Sequence, residues 1–188
     1  MCVTCGSTLI GNYINFVVHL LTTAFSVISG DSSGGTIVLS TLVKLRDNGV
    51  KLPAGAILLS PWCDLTMSSA SFNRRTHEDF AISWDYSRFL KKNNPCGKDV
   101  DPKLHSPLFM DLKQLPPLFI SVGGAERFID EVRELKEKLS QFGVETHYHE
   151  QQALFHGFSL LYNVMSEAKR AMDKAAEFIK SRLAELQD

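Results

Sequence analysis

The run Gly30-Asp31-Ser32-Ser33-Gly34-Gly35 contains the pattern G-x-S-x-G. It stands between a short apolar stretch and an amphipathic one, the strand–turn–helix context that presents a serine hydroxyl for nucleophilic attack. The reason is steric, because small flanking residues let backbone pass backbone in a very tight turn. The helix that starts there aims free N–H groups and its positive dipole end at a developing oxyanion. A Gly/Ser turn with a helix cap, or a phosphate-binding loop, would use the same residues. A nucleophilic serine also needs a base, and the base needs an orienting acid. His156, in Leu154-Phe155-His156-Gly157-Phe158, is placed for the first role. Glu126 and Asp130, in the stretch Gly123 to Glu131, both qualify by position for the second. The order serine, acid, histidine suits acyl transfer on a parallel sheet. Singly, His156 also reads as a turn histidine and Glu126 as a helix N-terminal carboxylate complementing the dipole.

The elements that must position these residues alternate in period. Phe25 to Ser29 reads as a strand ending at Gly30. Thr36 to Asp47 reads as a helix with Ile37, Val38, Leu42 and Leu45 on its inner face, stopped by Asn48-Gly49. Ala56 to Ser60 and Leu118 to Val122 are further apolar strands, and Val144 to Tyr148 is a fourth. Phe128, Val132, Leu135, Leu139 and Phe142 mark a helix that Gly143 ends. A last helix from about Ser166 turns Ala168, Met172, Ala175, Ile179, Leu183 and Leu186 inward. This rhythm predicts an α/β fold in three layers, a mostly parallel sheet with flanking helices. Thr66 to Leu104 interrupts it. That polar segment, with one helix near Trp84 to Lys92, is expected to form a cap or an excursion over one sheet edge.

With 188 residues, 44% of them hydrophobic, the chain suits one domain with a sizeable core. A formal net charge of −1 supplies no electrostatic footprint for nucleic acid or an anionic membrane. Four cysteines are too few for a disulfide framework and suit a reducing, cytoplasmic setting. No Lys, Arg, Asp or Glu occurs from Met1 to Gly30. Within that stretch Ile14 to Ser29 is apolar but broken by Asn15, His19, Thr22 and Thr23. It is too short and too polar for a firm membrane span, and it lacks the basic start of a secretory signal. Residues 1–25 therefore read as an atypical leader, and 26–188 as the domain.

The minor signals carry less. Cys2-Val3-Thr4-Cys5 lacks the second ligand pair that a zinc site would need. His147 and His149 share one side of a strand without a third ligand, and read as solvent-facing. Cys63 and Cys96 read as ordinary thiols, and Trp62 and Trp84 as core aromatics or walls of an acyl pocket. The alternating charges from Glu131 to Lys138 and from Glu167 to Lys180 read as solvated helix faces.

Taken together, GDSSGG, Ser60-Pro61-Trp62-Cys63-Asp64-Leu65, Asp101-Pro102, Ser106-Pro107-Leu108, AERFIDE and FHGF resemble the hormone-sensitive-lipase-like branch of the α/β-hydrolases. The resemblance runs from about Val27 to Leu186. It implies carboxylic ester hydrolysis on small-molecule esters, with Ser32 as nucleophile, His156 as base and no cofactor or metal. The family's D-P-L-x-D-E stretch, aligned on Asp130-Glu131, puts Glu126 at the acid's position and leaves Asp130 in reserve. Ser33 would give an oxyanion N–H. The family's upstream H-G-G-G oxyanion motif is absent from the chain. Loss of one such donor raises the barrier by about 3 to 4 kcal/mol. The sequence thus resembles the carboxyl-terminal half of a hydrolase. A truncated, inactive remnant serving as a binding or interaction module is the alternative, and a flavodoxin-like phosphate domain a more distant one. Without the family's first strands, the strand before Ser32 becomes an apolar edge, to be covered by the leader or by a partner chain such as a homo-oligomer.

Overall fold

The computed structural model describes residues 26–74, 78–93 and 101–185. The leader, Cys2, Cys5, Cys96 and Leu186 lie outside the described residues. Four strands, β1 (Val27–Asp31), β2 (Gly55–Leu59), β3 (Leu118–Gly123) and β4 (Thr146–Gln151), form one sheet in the order β1-β2-β3-β4. Every pairing is parallel. β2 and β3 are buried along their whole length, as strands covered on both faces must be, whereas β1 and β4 are only partly covered.

Side-chain alternation divides the core between the two faces. Ala56 and Leu58 of β2, with Leu118, Ile120 and Val122 of β3, pack beneath α1 (Ser33–Asp47). Val132, Leu135 and Leu139, from a second long helix (Ile129–Gln141), complete that layer. Ile57, Leu59 and Phe119 face the other way, onto Ala175 and Phe178 of the carboxyl-terminal helix (Ser166–Ala184). Between β2 and β3 come α2 (Ala70–Asn73), α3 (Trp84–Asn93) and α4 (Pro102–His105), so the two long helices above are α5 and α6.

The helix stops follow the sequence. Gly143, at φ 70°, closes α5, its N–H donating to Ser140 O while Val144 N–H reaches back to Leu139 O. That left-handed turn satisfies carbonyls the helix would otherwise leave open, and glycine adopts it without a Cβ penalty.

Two expectations are corrected. Ile37 is 58% exposed, because the inward positions of α1 are Gly35, Val38, Leu39, Leu42 and Leu45 and the helical period turns Ile37 away from them. Glu131 is buried, not part of a solvated face. Its Oε1 accepts from Cys63 N (2.6 Å) and Asp64 N (3.1 Å), capping the turn after β2, while Oε2 has no hydrogen-bond partner among the described residues.

Burial pushes the Glu131 carboxyl well above the ordinary range; the two amides pull it down, and the charges of Asp64 and Glu126 push it up again. Between the ordinary value and the raised one, the folded chain holds a proton the unfolded chain has released. Stability therefore falls as pH rises through that window. Glu131→Gln keeps an oxygen for both amides and has no charge to bury. Its stability relative to the unsubstituted chain is expected to improve steadily in urea melts as the pH rises from the ordinary carboxylate range toward neutrality. A difference independent of pH would contradict the assignment.

Candidate active site

All the candidate residues leave the carboxyl ends of the parallel strands, where open α/β sheets assemble their sites. Ser32 follows β1 at φ 53° and ψ −121°, at the N-cap of α1. Its N–H donates to Leu59 O (2.9 Å), and its own carbonyl accepts from Gly35 N (3.0 Å) and Trp62 N (3.0 Å). A non-glycine residue at such angles carries about 1 to 3 kcal/mol of strain, held here by bonds on both sides of the turn. The hydroxyl does not cap its own helix. It lies 2.9 Å from His156 Nε2.

The glycines show what the turn requires. A Cβ on Gly30 would sit 2.3 Å from Gly34 O, and one on Gly35 would sit 2.5 Å from Pro61 Cβ. Gly34 faces open space. Gly30→Ala is thus expected to cost about 1 to 3 kcal/mol, because backbone must move. Gly34→Ala, inside α1, is expected to add about 0.5 to 1 kcal/mol of stability. Chemical denaturation of both variants checks the contrast, and equal effects would contradict it.

His156 rides on the loop after β4. Phe158, two residues on, is buried against Ala168 and Ala171 of α6. On the other side Gly123 admits the loop, since a Cβ there would lie 2.2 Å from Leu154 O. The imidazole meets the Phe128 ring edge-on at 4.9 Å, and Phe128 is itself stacked on Trp62 (5.5 Å) and Phe72 (6.0 Å).

Glu126 sits in the turn between β3 and α5, with its side chain fully buried. Oε1 accepts from Ser60 Oγ (2.7 Å) and Gly123 N (2.6 Å). Oε2 lies 3.0 Å from His156 Nδ1. A carboxylate accepts at that point, so Nδ1 bears the proton and Nε2 is left to accept from the Ser32 hydroxyl. Asp130 is turned elsewhere: its Oδ2 accepts from Ser71 N (2.7 Å), and its N–H donates to Ser71 Oγ (3.2 Å). Of the two acids the sequence left open, it is Glu126 whose carboxylate meets the imidazole. Ser33 provides the first N–H of α1, one of the donors that a helix end leaves free.

Two polar neighbours escaped the sequence reading. Ser60, at φ 47°, donates to Glu126 and accepts from Gly157 N (3.1 Å). Asp79 accepts from His156 N (3.1 Å) and Arg127 N (2.9 Å). Ser60 ends the apolar run from Ala56 with nothing local to mark it as a partner of Glu126, and nothing in the local pattern marks Asp79. Trp62 and Trp84 belong to packing: Trp62 is buried, and Trp84 lies under the Arg127 guanidinium, 5.5 Å from its ring centre. Cys63 is a buried free thiol whose pKa burial pushes up, with the charges of Glu131 and Asp64 acting the same way. His147 Nε2 lies 2.8 Å from Glu145, and His149 Nδ1 lies 3.1 Å from Lys174 Nζ.

A family of proteins with the alpha/beta hydrolase fold matches residues 21–160. This chain belongs to that family. The α/β-hydrolase chain is 32% identical over 158 residues to an acetyl-hydrolase of Streptomyces hygroscopicus, covering 84% of this chain and 53% of the relative. It is 32% identical over 160 residues to an esterase of Acinetobacter venetianus, covering 82% of this chain and 52% of the relative. It therefore spans about half the length of the curated relatives it matches. Among solved structures, the EstE5 crystal soaked in ethyl alcohol superposes with a TM-score of 0.82 at 30% identity, covering 93% of this chain and 60% of that one. A hormone-sensitive lipase from a metagenome library gives 0.80 at 27% identity, covering 92% and 60%. The α/β fold class and the resemblance to hormone-sensitive-lipase-like esterases both hold. Among the described residues, no helix is long and apolar enough to cross a membrane.

Proposed function

We propose that this α/β-hydrolase chain cleaves small carboxylic esters through a covalent acyl-enzyme. The unbroken contact line Ser32 Oγ–His156 Nε2, His156 Nδ1–Glu126 Oε2 carries the reading, at 2.9 Å and 3.0 Å. Ser32 Oγ attacks the ester carbonyl carbon while its proton passes to His156 Nε2. The carbonyl oxygen takes up negative charge and is met by the Ser33 N–H at the positive end of α1. Collapse of the tetrahedral adduct breaks the bond to the alkoxy oxygen, which leaves as alcohol with the proton from His156. Water then repeats the sequence on the acyl-serine, releasing the carboxylic acid and restoring Ser32. Glu126 holds the imidazole in the one tautomer that works and stabilises the imidazolium, remaining ionised throughout.

The relatives named acetyl-hydrolase and esterase support an ester substrate. The reading is tested by steady-state hydrolysis of p-nitrophenyl acetate and butyrate by the purified chain. Saturable turnover that follows the folded fraction through a urea titration is expected. Release no faster than in buffer would overturn it.

A further inference from the structure

We infer that Asp79 is a positioning residue that ties the loop carrying His156 to the turn carrying Glu126. The inference rests on the catalytic reading above and adds a third chain segment to it. Asp79 is fully buried, and both of its carboxylate oxygens are spent on backbone amides. Oδ1 accepts from His156 N (3.1 Å) and Ile82 N (3.3 Å), and Oδ2 accepts from Arg127 N (2.9 Å). His156 N belongs to the residue whose ring faces Ser32, and Arg127 N to the residue directly after Glu126. One rigid carboxylate therefore sets the separation between the two loops.

Further contacts hold the residues on either side of Asp79. Arg127, also buried, donates from Nε to Ile82 O (2.5 Å) and from its guanidinium to Phe72 O (3.1 Å) and Arg74 O (2.5 Å). Those carbonyls lie before and after Asp79 in the chain, so the arginine holds residues on both sides of it, and its charge interacts favourably with the carboxylate. The next residues repeat the pairing in apolar form. Phe80 meets Phe155, the neighbour of His156, with ring centres 4.1 Å apart. Burying a carboxylate is costly unless its oxygens are met, and here they are met by the amides that flank the base and the acid. The Ser60 hydroxyl spans the same two loops from the other side, between Gly157 N and Glu126 Oε1.

A shift of about 1 Å between base and acid costs about 100-fold in rate. Asp79→Ala is therefore expected to lower kcat on p-nitrophenyl butyrate by about that factor, with KM changed by no more than about twofold. Asp79→Asn keeps one oxygen but presents an NH2 group to the other amide, and is expected to lose about 10-fold. It also serves if the alanine variant does not fold. The second readout is the low-field proton resonance of His156 Nδ1–H, which reports its hydrogen bond to Glu126 without any turnover. It is expected to shift or vanish in both variants. Leu112→Ala, a buried core change, is the control for general softening and is expected to lower the melting temperature while kcat and the resonance stay. A folded Asp79 variant that retains kcat and the resonance overturns the inference. If the unsubstituted chain proves inactive, the catalytic reading fails by itself. The resonance then still decides the role of Asp79: loss in the variants supports it, and persistence overturns it.

Discussion

Ser32→Ala is expected to reduce ester hydrolysis to background, a fall in kcat of about 10⁴- to 10⁶-fold. The hydroxyl at 2.9 Å from His156 Nε2 has no substitute in the strained turn, because Ser33 starts α1 and the flanking positions are glycine or aspartate. His156→Ala is expected to fall by a similar factor. The double variant should be no worse than either single one, since nucleophile and base act as a unit. Stability should barely change or rise in Ser32→Ala, because the hydroxyl caps no helix and the strained backbone is retained. Steady-state assays with urea melts on the same samples separate the two effects. Additive losses in the double variant would mean that the serine and histidine work apart.

Glu126→Gln is the second large effect, at about 10⁴-fold in kcat. The direction follows from hydrogen-bond polarity. Oε1 takes donors from Ser60 Oγ and Gly123 N, so the amide oxygen of glutamine must occupy that place. Its NH2 group then faces His156 Nδ1, which has to accept, and the ring proton moves to Nε2. An Nε2–H cannot take the proton of Ser32. Glu126→Ala adds a structural cost, leaving two buried donors unmet at about 1 to 3 kcal/mol each. Asp130→Asn, by contrast, should change kcat by less than about threefold, because its amide oxygen can still accept from Ser71 N. Parallel assays of Glu126→Gln and Asp130→Asn distinguish the two acids. Reversal of their ranking would move the acid to Asp130.

Much of the fold was legible in advance because it rests on local period and punctuation. Leu118 to Val122 is apolar except for the buried Ser121, as a strand covered on both faces tends to be, and Gly143 announces the end of α5. The order of Ser32, Glu126 and His156 along the chain was legible for the same reason, each following a readable strand. The misses come from interactions that no spacing encodes. Ile37 is a different case, since the helical period itself sets it about 100° from Val38 and away from the face that Val38, Leu42 and Leu45 share. Glu131 looked like one charge among several on α5, yet it reaches across 68 residues to the amide of Cys63. Asp79 meets His156 across 77 residues, and Ser60 meets Gly157 across 97. A polar side chain buried to serve a distant amide has the same sequence signature as one in water. The choice between Glu126 and Asp130 was of the same kind. Both lie about one helical turn apart, and the turn at Gly123 that aims Glu126 at the loop after β4 is a tertiary feature.

The most direct measurement is exposure of the purified chain to a fluorophosphonate probe, followed by peptide mass mapping. Such a probe phosphonylates a serine efficiently only where a base draws off its proton. A stoichiometric adduct on Ser32, absent in Ser32→Ala and strongly slowed in His156→Ala, is the predicted result. A folded chain that stays unmodified, or that carries the phosphonate on another residue, would contradict the account.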